Sequence, residues 1–221
     1  MKKVLMLLGV VLFPAFAFAL NAEAQGEKEC EGNRVKFERY VNSQDKTPFI
    51  MQYILINLAD DAVKSNKYTE EQFVPLAQCY ETYSVKGTPL VDFVRANADI
   101  FRPEESDPAS VLPVYDELQS ELLTFANRVE KVSKQAALNK VIAHDNDDWV
   151  VQHILGNLAD PMRNMSDAQA APKAVVYNQL KVNSLSLVEY SRQQSERFAQ
   201  ISPSVTNDLN DFADRVERLA K

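Results

Sequence analysis

The stretch Gln52-Tyr-Ile-Leu-Ile-Asn-Leu-Ala-Asp60 returns one hundred residues later as Gln152-His-Ile-Leu-Gly-Asn-Leu-Ala-Asp160, with seven of the nine residues identical. Further matches follow at offsets of 97 and 87 residues: Pro75 with Pro172, Tyr80 with Tyr177, and Phe125 with Phe212. Because prolines, aromatic residues and apolar positions stay in register, the sequence predicts an internal duplication.

The repeated stretch and its neighbours have the pattern of helices. Between Phe49 and Val63, apolar side chains occupy most of the circumference of a helix, which predicts a buried helix in each copy. From Val114 to Val132, apolar residues recur every three or four positions. We therefore expect a helix of about 20 residues, continuing through Val141, to join the copies. No stretch alternates apolar and polar residues between turn dipeptides, which argues against a β-sheet.

These patterns predict an all-α fold, a tandem duplication of a helical bundle unit of about 95 residues whose copies are joined by the long helix. We expect the copies to be related by pseudo-twofold symmetry or to stack. The first repeat should cover residues 30–133 and the second residues 134–221, with an exposed N-terminal segment over residues 20–29.

Several residues predict where helices begin and end. Thr47 and Asp147 are the expected caps of the repeated helix, since short polar side chains accept from free backbone N–H groups there. Thr69 and Ser166 each stand three residues before a glutamine, which is the spacing of a capping box. Pro161 should end the second copy of the repeated helix, because proline removes a helical hydrogen bond.

The N-terminus has the pattern of a secretory signal peptide. Lys2 and Lys3 precede an apolar run that ends at Ala19 with small residues suited to cleavage. The run is interrupted by Pro14 and is shorter than the ~20 residues needed to span a bilayer. We expect cleavage of residues 1–19, or alternatively after Ala24. The protein is then exported, periplasmic or secreted, and keeps no stable membrane anchor.

The chain has two cysteines, Cys30 and Cys79. In an oxidising compartment a lone pair of cysteines predicts one disulfide bond. A reactive thiol would instead need a C-x-x-C spacing or cationic neighbours, and the sequence around these cysteines shows neither. We expect a structural bridge that holds the N-terminal helix of the first copy.

The net charge and the sequence motifs exclude several classes of function. The 24 basic and 31 acidic side chains give a net charge of −7, which argues against a nucleic-acid partner. Sequence motifs of hydrolases, zinc enzymes, nucleotide-binding proteins and haem attachment are absent. The acidic run from His144 to Asp148 fails as a calcium loop, because Val150 and Gly156 replace the required glycine and acid. We expect no catalytic residue, no metal and no cofactor, and a protein that is not an enzyme.

Each copy carries three polar residues along one face of the repeated helix: Tyr53, Asn57 and Asp60 in the first copy, and His153, Asn157 and Asp160 in the second. Polar groups within an apolar helix are costly unless they are paired. One interpretation is a polar clamp that fixes the register of a neighbouring helix. The other is a pair of related patches that contact a ligand.

Aromatic residues recur at matched positions of the two copies: Phe49 and Trp149, Tyr80 and Tyr177, Phe93 and Tyr190, Phe101 and Phe198, and Phe125 and Phe212. At helical spacing we expect these side chains to form the core. The alternative is that they line a pocket for an apolar ligand between helices.

The leading functional hypothesis is an exported, non-enzymatic helical protein that binds another protein, as an adaptor, a chaperone-like factor or a secreted interaction factor. The first alternative is a carrier of a small apolar ligand such as a lipid. The repeated aromatic residues would line the pocket that holds this ligand. A weaker alternative is an enzyme with an acid/base pair that no motif reveals.

The disulfide is directly testable. Alkylation of the unreduced exported protein should label neither Cys30 nor Cys79, whereas alkylation after reduction should label both. Mass spectrometry of the intact chain gives the number of labels. Any label on the unreduced protein would contradict the predicted bridge.

Overall fold

The computed structural model describes residues 28, 30–63, 68–101 and 112–221. The predicted signal peptide and most of the segment over residues 20–29 lie outside this part of the chain. The described residues are mainly helical, which confirms the all-α class. Among them, no helix has both the length and the apolar character needed to cross a bilayer.

The chain divides into two compact units, with the boundary between Leu122 and Leu123. The first unit begins with helix α1 over residues 30–43. Its further elements are α2 (Thr47–Ile54), a π-helical turn (Leu55–Ala59), α3 (Asp60–Val63), α4 (Glu70–Tyr80), the strands β1 (Ser84–Val85) and β2 (Thr88–Pro89), α5 (Leu90–Asn97) and a 3-10 turn (Ala98–Phe101).

Helix α6 (Leu112–Ile142) has 31 residues and includes both the observed unit boundary and the predicted repeat boundary. The remaining elements are α7 (Asp147–Ile154), a π-helical turn (Leu155–Ala159), α8 (Asp160–Arg163), α9 (Asp167–Tyr177), the strands β3 (Lys181–Val182) and β4 (Leu185–Ser186), α10 (Leu187–Phe198) and α11 (Pro203–Leu219). The order of elements from α7 to α10 is the same as that from α2 to α5.

Two short β-hairpins were not expected from the sequence. β1 pairs antiparallel with β2, and β3 pairs antiparallel with β4. The turns use backbone with positive φ, at Lys86 and Gly87 in one hairpin and at Asn183 in the other. Glycine and asparagine tolerate this conformation, which suits tight hairpin turns. Strands of two residues are too short to produce an alternating pattern, which is why the hairpins were not expected.

The predicted caps of the repeated helix are wrong by one residue. Thr47 is the first residue of α2, and the cap position is held by Lys46, whose side chain makes no capping bond. In α7, Asn146 caps the helix by accepting from the backbone N–H groups of Asp148 and Trp149. The capping boxes predicted at Thr69 and Ser166 are confirmed.

Pro161 does not end the repeated helix, contrary to expectation. The helix continues through the π turn into α8, and Pro161 lies in the first turn of that segment. In the π turn the Asp160 N–H donates to the Leu155 carbonyl oxygen, five residues back. A proline in the first turn of a helical segment costs no hydrogen bond. The π turn itself does not require the proline, because the first unit forms it with Asp61 at that position.

Each unit has its own apolar core. In the first unit the fully buried side chains include Phe37, Ile54, Phe73 and Leu90, among others. In the second unit one cluster of buried side chains includes Leu138, Ile154, Ala174, Leu187, Leu209 and Val216. Only one side of the repeated helix faces these cores, so the prediction of a helix buried all round is wrong. On the opposite side Ile56 is 61% exposed.

A covalent bond and an ion pair hold matching helices in the two units. The disulfide between Cys30 and Cys79 joins α1 to α4, which confirms the predicted bridge. In the second unit Glu130 of α6 pairs with Lys173 of α9, with 3.2 Å between Lys173 Nζ and Glu130 Oε1. Glu130 stands one hundred residues after Cys30, and its side chain is 2% exposed. The ion pair therefore ties two helices in the second unit as the disulfide ties two in the first.

Breaking the Glu130–Lys173 ion pair should destabilise the folded chain. We expect Lys173→Met to lower the free energy of unfolding by about 3–5 kcal/mol, because it removes the cation that lies 3.2 Å from the buried Glu130 carboxylate. The double variant Glu130→Leu with Lys173→Met should recover most of that loss, since neither charge of this pair remains. Urea unfolding at pH 7 measures both. A double variant as unstable as the single one would show that the charge pairing is not what matters.

Candidate functional site

Helix α7, the π turn after it and the first residue of α8 expose one continuous stripe of residues, which we call the α7 face: Trp149, Gln152, Gly156 and Asp160. The residues are spaced by three or four positions, so they lie on the same side of the helix. The first unit exposes the matching α2 face: Phe49, Gln52, Ile56 and Asp60. Each face therefore begins with an aromatic residue followed by a glutamine.

Trp149 is the only tryptophan of the chain, and it is 50% exposed. Its backbone N–H donates to the capping side chain of Asn146, which fixes its place in the first turn of α7. The ring of His144 meets the indole edge to face, with 5.1 Å between ring centroids. The prediction that Trp149 belongs to the core is therefore wrong. Val150, Val151 and Ile154 fill the core side of α7 instead.

The acidic side chains beside Trp149 already have partners. Asp147 accepts a hydrogen bond of 2.8 Å from the Tyr190 hydroxyl, and Asp148 pairs with Arg197. Burial, together with the bond to Asp147, raises the pKa of Tyr190 well above its ordinary value. The side-chain amide of Gln152 makes no hydrogen bond to any described residue, so it is available to a ligand or partner.

The α2 face has a similar arrangement in the first unit. Phe49 is 46% exposed rather than buried, so its predicted place in the core is also wrong. The Lys46 ammonium lies 6.0 Å from the centre of its ring, and the Tyr40 hydroxyl donates to its carbonyl oxygen. The side-chain amide of Gln52, like that of Gln152, makes no hydrogen bond to the described residues.

The other aromatic pairs divide between buried and half-buried positions. Tyr80, Tyr177, Tyr190, Phe125 and Phe212 are buried, as predicted. Phe93, Phe101 and Phe198 are half-buried.

The structure places Tyr53 and His153 at half-buried positions. Tyr53 stacks on Tyr40 of α1, with 4.3 Å between ring centroids, and burial followed by the nearby Tyr40 raises its pKa. His153 Nδ1 lies 3.3 Å from the Asn157 amide, while its buried Nε2 has no partner among the described atoms. Burial, and secondly the Lys134 ammonium, lower the pKa of His153.

Among the described residues, neither asparagine side chain donates to a neighbouring helix. Asn57 donates its side-chain amide to the Tyr53 carbonyl oxygen at 3.0 Å, and Asn157 donates to the His153 carbonyl oxygen at 3.3 Å. Both amides thus bond within their own helix, where the backbone widens into the π turn. Their exposure removes the desolvation cost on which the clamp interpretation depended. The other interpretation, a ligand-contacting patch, stays a prediction.

Asp60 and Asp160 are exposed at the start of α3 and α8. Asp160 Oδ1 lies 3.4 Å from Arg163 Nη2, three residues later in the same helix. Within the described ranges, no group of three His, Cys, Asp or Glu side chains comes together as metal ligands would.

Two cavities border the elements that carry these faces. One, of about 220 Å³, lies between α8 and α11 in the second unit. The other, of about 140 Å³, lies beside Asn57 in the first unit and is also lined by Asn33, Tyr68 and Tyr80. Pockets that enclose a drug-sized ligand measure about 300–1,000 Å³, so both cavities are small.

Comparison of the chain with protein families, with curated proteins and with solved structures yields no match. The functional argument therefore rests on the residues of this chain. Its most distinctive surface feature is an exposed aromatic ring beside an exposed amide, a combination that binds partners by packing and hydrogen bonding.

The neutral form of His153 should make stability depend on pH. Its pKa in the folded chain is below the ordinary value of 6.5, so the unfolded chain binds a proton first as the pH falls. The contribution of His153 to stability is complete above pH 6.5 and is lost as the pH falls through the folded pKa. We expect His153→Gln to reduce the loss of stability between pH 7.5 and pH 5, measured by urea unfolding.

His144→Gln is the matched control, since it removes the other histidine of the chain and leaves His153 in place. It should keep the pH dependence of the unaltered protein. Identical pH profiles for His153→Gln and the unaltered chain would contradict the assignment.

Proposed function

We propose that the chain is an exported, non-enzymatic protein that binds another protein through the α7 face, with Trp149 as the anchor. The observation that carries the proposal is the half-exposed indole of the only tryptophan, at the start of a face whose Gln152 amide has no internal partner. Tryptophan is enriched among the residues that dominate protein–protein binding energies.

We further propose that the two units are copies of one ancestral helical unit. Support comes from seven identities in nine residues and from the common order of elements in α2–α5 and α7–α10. If the units are copies, identical residues at exposed positions of both units indicate a role other than packing. Gln52 and Gln152 are identical, although neither side chain packs in a core or makes a hydrogen bond to the described residues. A shared role in binding explains why both copies have a glutamine there.

Gly156 gives independent support to the α7 face. A glycine within a helix costs about 1 kcal/mol relative to alanine. A Cβ at Gly156 would meet no atom within 4 Å, so packing within the chain does not require the glycine. A flat site one turn beyond Gln152 would instead allow the backbone of a partner to approach α7 closely.

Export is part of the proposal. The basic, apolar and small-residue pattern that ends at Ala19 supports a cleaved signal peptide. The bond between Cys30 and Cys79 fits an oxidising compartment, periplasmic or extracellular. A carrier of a small apolar ligand is less well supported, because the cavities described above are small and lie among well-packed cores.

The proposal predicts that Trp149→Ala removes the partner. The full chain, immobilised and exposed to the exported proteins of its source, should retain a specific protein. Trp149→Ala should reduce its affinity by about thirtyfold, the effect of truncating an anchor worth ~2 kcal/mol. Because the chain has one tryptophan, its fluorescence should also shift to the blue as the partner excludes water from the indole.

Ile201→Ala is the matched control, because Ile201 is another apolar residue of the second unit and is 73% exposed. It should retain the partner as the unaltered chain does. Equal retention by Trp149→Ala, or an unchanged tryptophan emission in the complex, would refute the role of the α7 face.

A further inference from the structure

The cavity between α8 and α11 has an apolar floor and a charged rim. Ala159, Met162 and Phe212 form the floor, and each of the three is buried. Its volume is about 220 Å³. Because an enclosed apolar cavity of about 150 Å³ holds a benzene ring, this space accommodates one bulky apolar or aromatic side chain.

The two arginines on the rim already have partners. Arg163 Nη2 lies 2.9 Å from Asp208 Oδ1. Arg215 donates to the carbonyl oxygens of Met162 and Met165, at the end of α8 and in the turn that follows it. The rim therefore offers few donors to an anionic ligand.

Asp211 is different from the other charged residues of the rim. Its side chain is exposed and makes no ion pair or hydrogen bond with the described residues. An unpaired carboxylate at the mouth of an apolar pocket favours a cation next to the apolar group that enters it. The net charge of −7 on the whole chain also favours a basic partner, because it attracts positively charged molecules toward the surface.

We infer that the α8–α11 cavity is a docking pocket for a basic polypeptide segment that inserts one bulky apolar side chain, with a flanking lysine or arginine facing Asp211. This inference rests on the proposed function, since it assigns a chemistry to the protein partner. It also agrees with the position of the α7 face. Arg163 of the rim continues the spacing of Trp149, Gln152, Gly156 and Asp160 along the same side of the helix.

The test uses the full chain with ¹³C-labelled methionine methyl groups and short peptides of glycine and serine. One peptide has a central phenylalanine between two lysines. In the second an alanine replaces the phenylalanine, and in the third two glutamates replace the lysines. The methyl group of Met162 lies in the pocket floor and reports on occupancy, whereas Met51 of the first unit is the internal reference. The variant Met162→Leu identifies the Met162 signal.

We expect the lysine–phenylalanine peptide to shift the Met162 signal saturably and to leave Met51 unchanged. The alanine peptide should bind at least tenfold more weakly, because burial of an aromatic side chain contributes most of the affinity. The glutamate peptide should also bind more weakly. Asp211→Asn should weaken binding of the lysine–phenylalanine peptide about two- to fivefold, as for other exposed ion pairs. Glu196→Gln, which neutralises an exposed acid on α10, should not change it.

An unmoved Met162 signal, equal binding of the glutamate peptide, or an unchanged affinity of Asp211→Asn would each overturn the inference. Its failure is distinct from failure of the proposed function. If Trp149→Ala loses the natural partner while Met162 does not respond to the peptides, the pocket assignment alone is wrong. If Met162 responds while Trp149→Ala keeps the partner, the pocket stands and the α7 face does not.

Discussion

Burial of Ile154, Leu158 and Met162 in the core of the second unit fixes which side of α7 and α8 meets solvent. These residues are spaced by four, and on a regular α-helix each such step drifts by about 40° around the axis. The π turn between them widens the helix by one residue and offsets this drift. The core contacts are kept along the whole helix, and the opposite side becomes one continuous exposed stripe.

The burial of one side of the repeated helix also explains how much of the structure could be predicted from the sequence. Helices, capping boxes and the disulfide depend on local patterns or on cysteine number, and these predictions were confirmed. The direction in which Phe49 points depends on which side of the almost wholly apolar helix of the first copy meets a core. Apolar residues on every side give no contrast from which to infer that direction.

The predicted helix end at Pro161 and the predicted clamp at the asparagines are wrong for a related reason. Both predictions assume a regular α-helix, where an internal proline ends the helix and a buried asparagine bonds a neighbouring helix or lines a cleft. The π turn changes both conclusions, since Pro161 begins a new segment and Asn157 bonds a carbonyl oxygen of its own helix. No residue type marks a π turn, so the repeat indicates which helix carries the candidate site but not that Trp149, Gln152 and Gly156 lie on its exposed side.

The two ties between helices differ in their dependence on solution conditions. The Cys30–Cys79 bond closes a loop of 49 residues, and loop-closure entropy gives it about 4 kcal/mol of stabilisation in an oxidising compartment. The Glu130–Lys173 pair needs no oxidant, and its burial limits screening by salt. The second unit therefore keeps its tie under reducing conditions, whereas the first does not. Because Trp149 and the α8–α11 cavity both belong to the second unit, the surfaces proposed for binding lie on the unit that contains no cysteine.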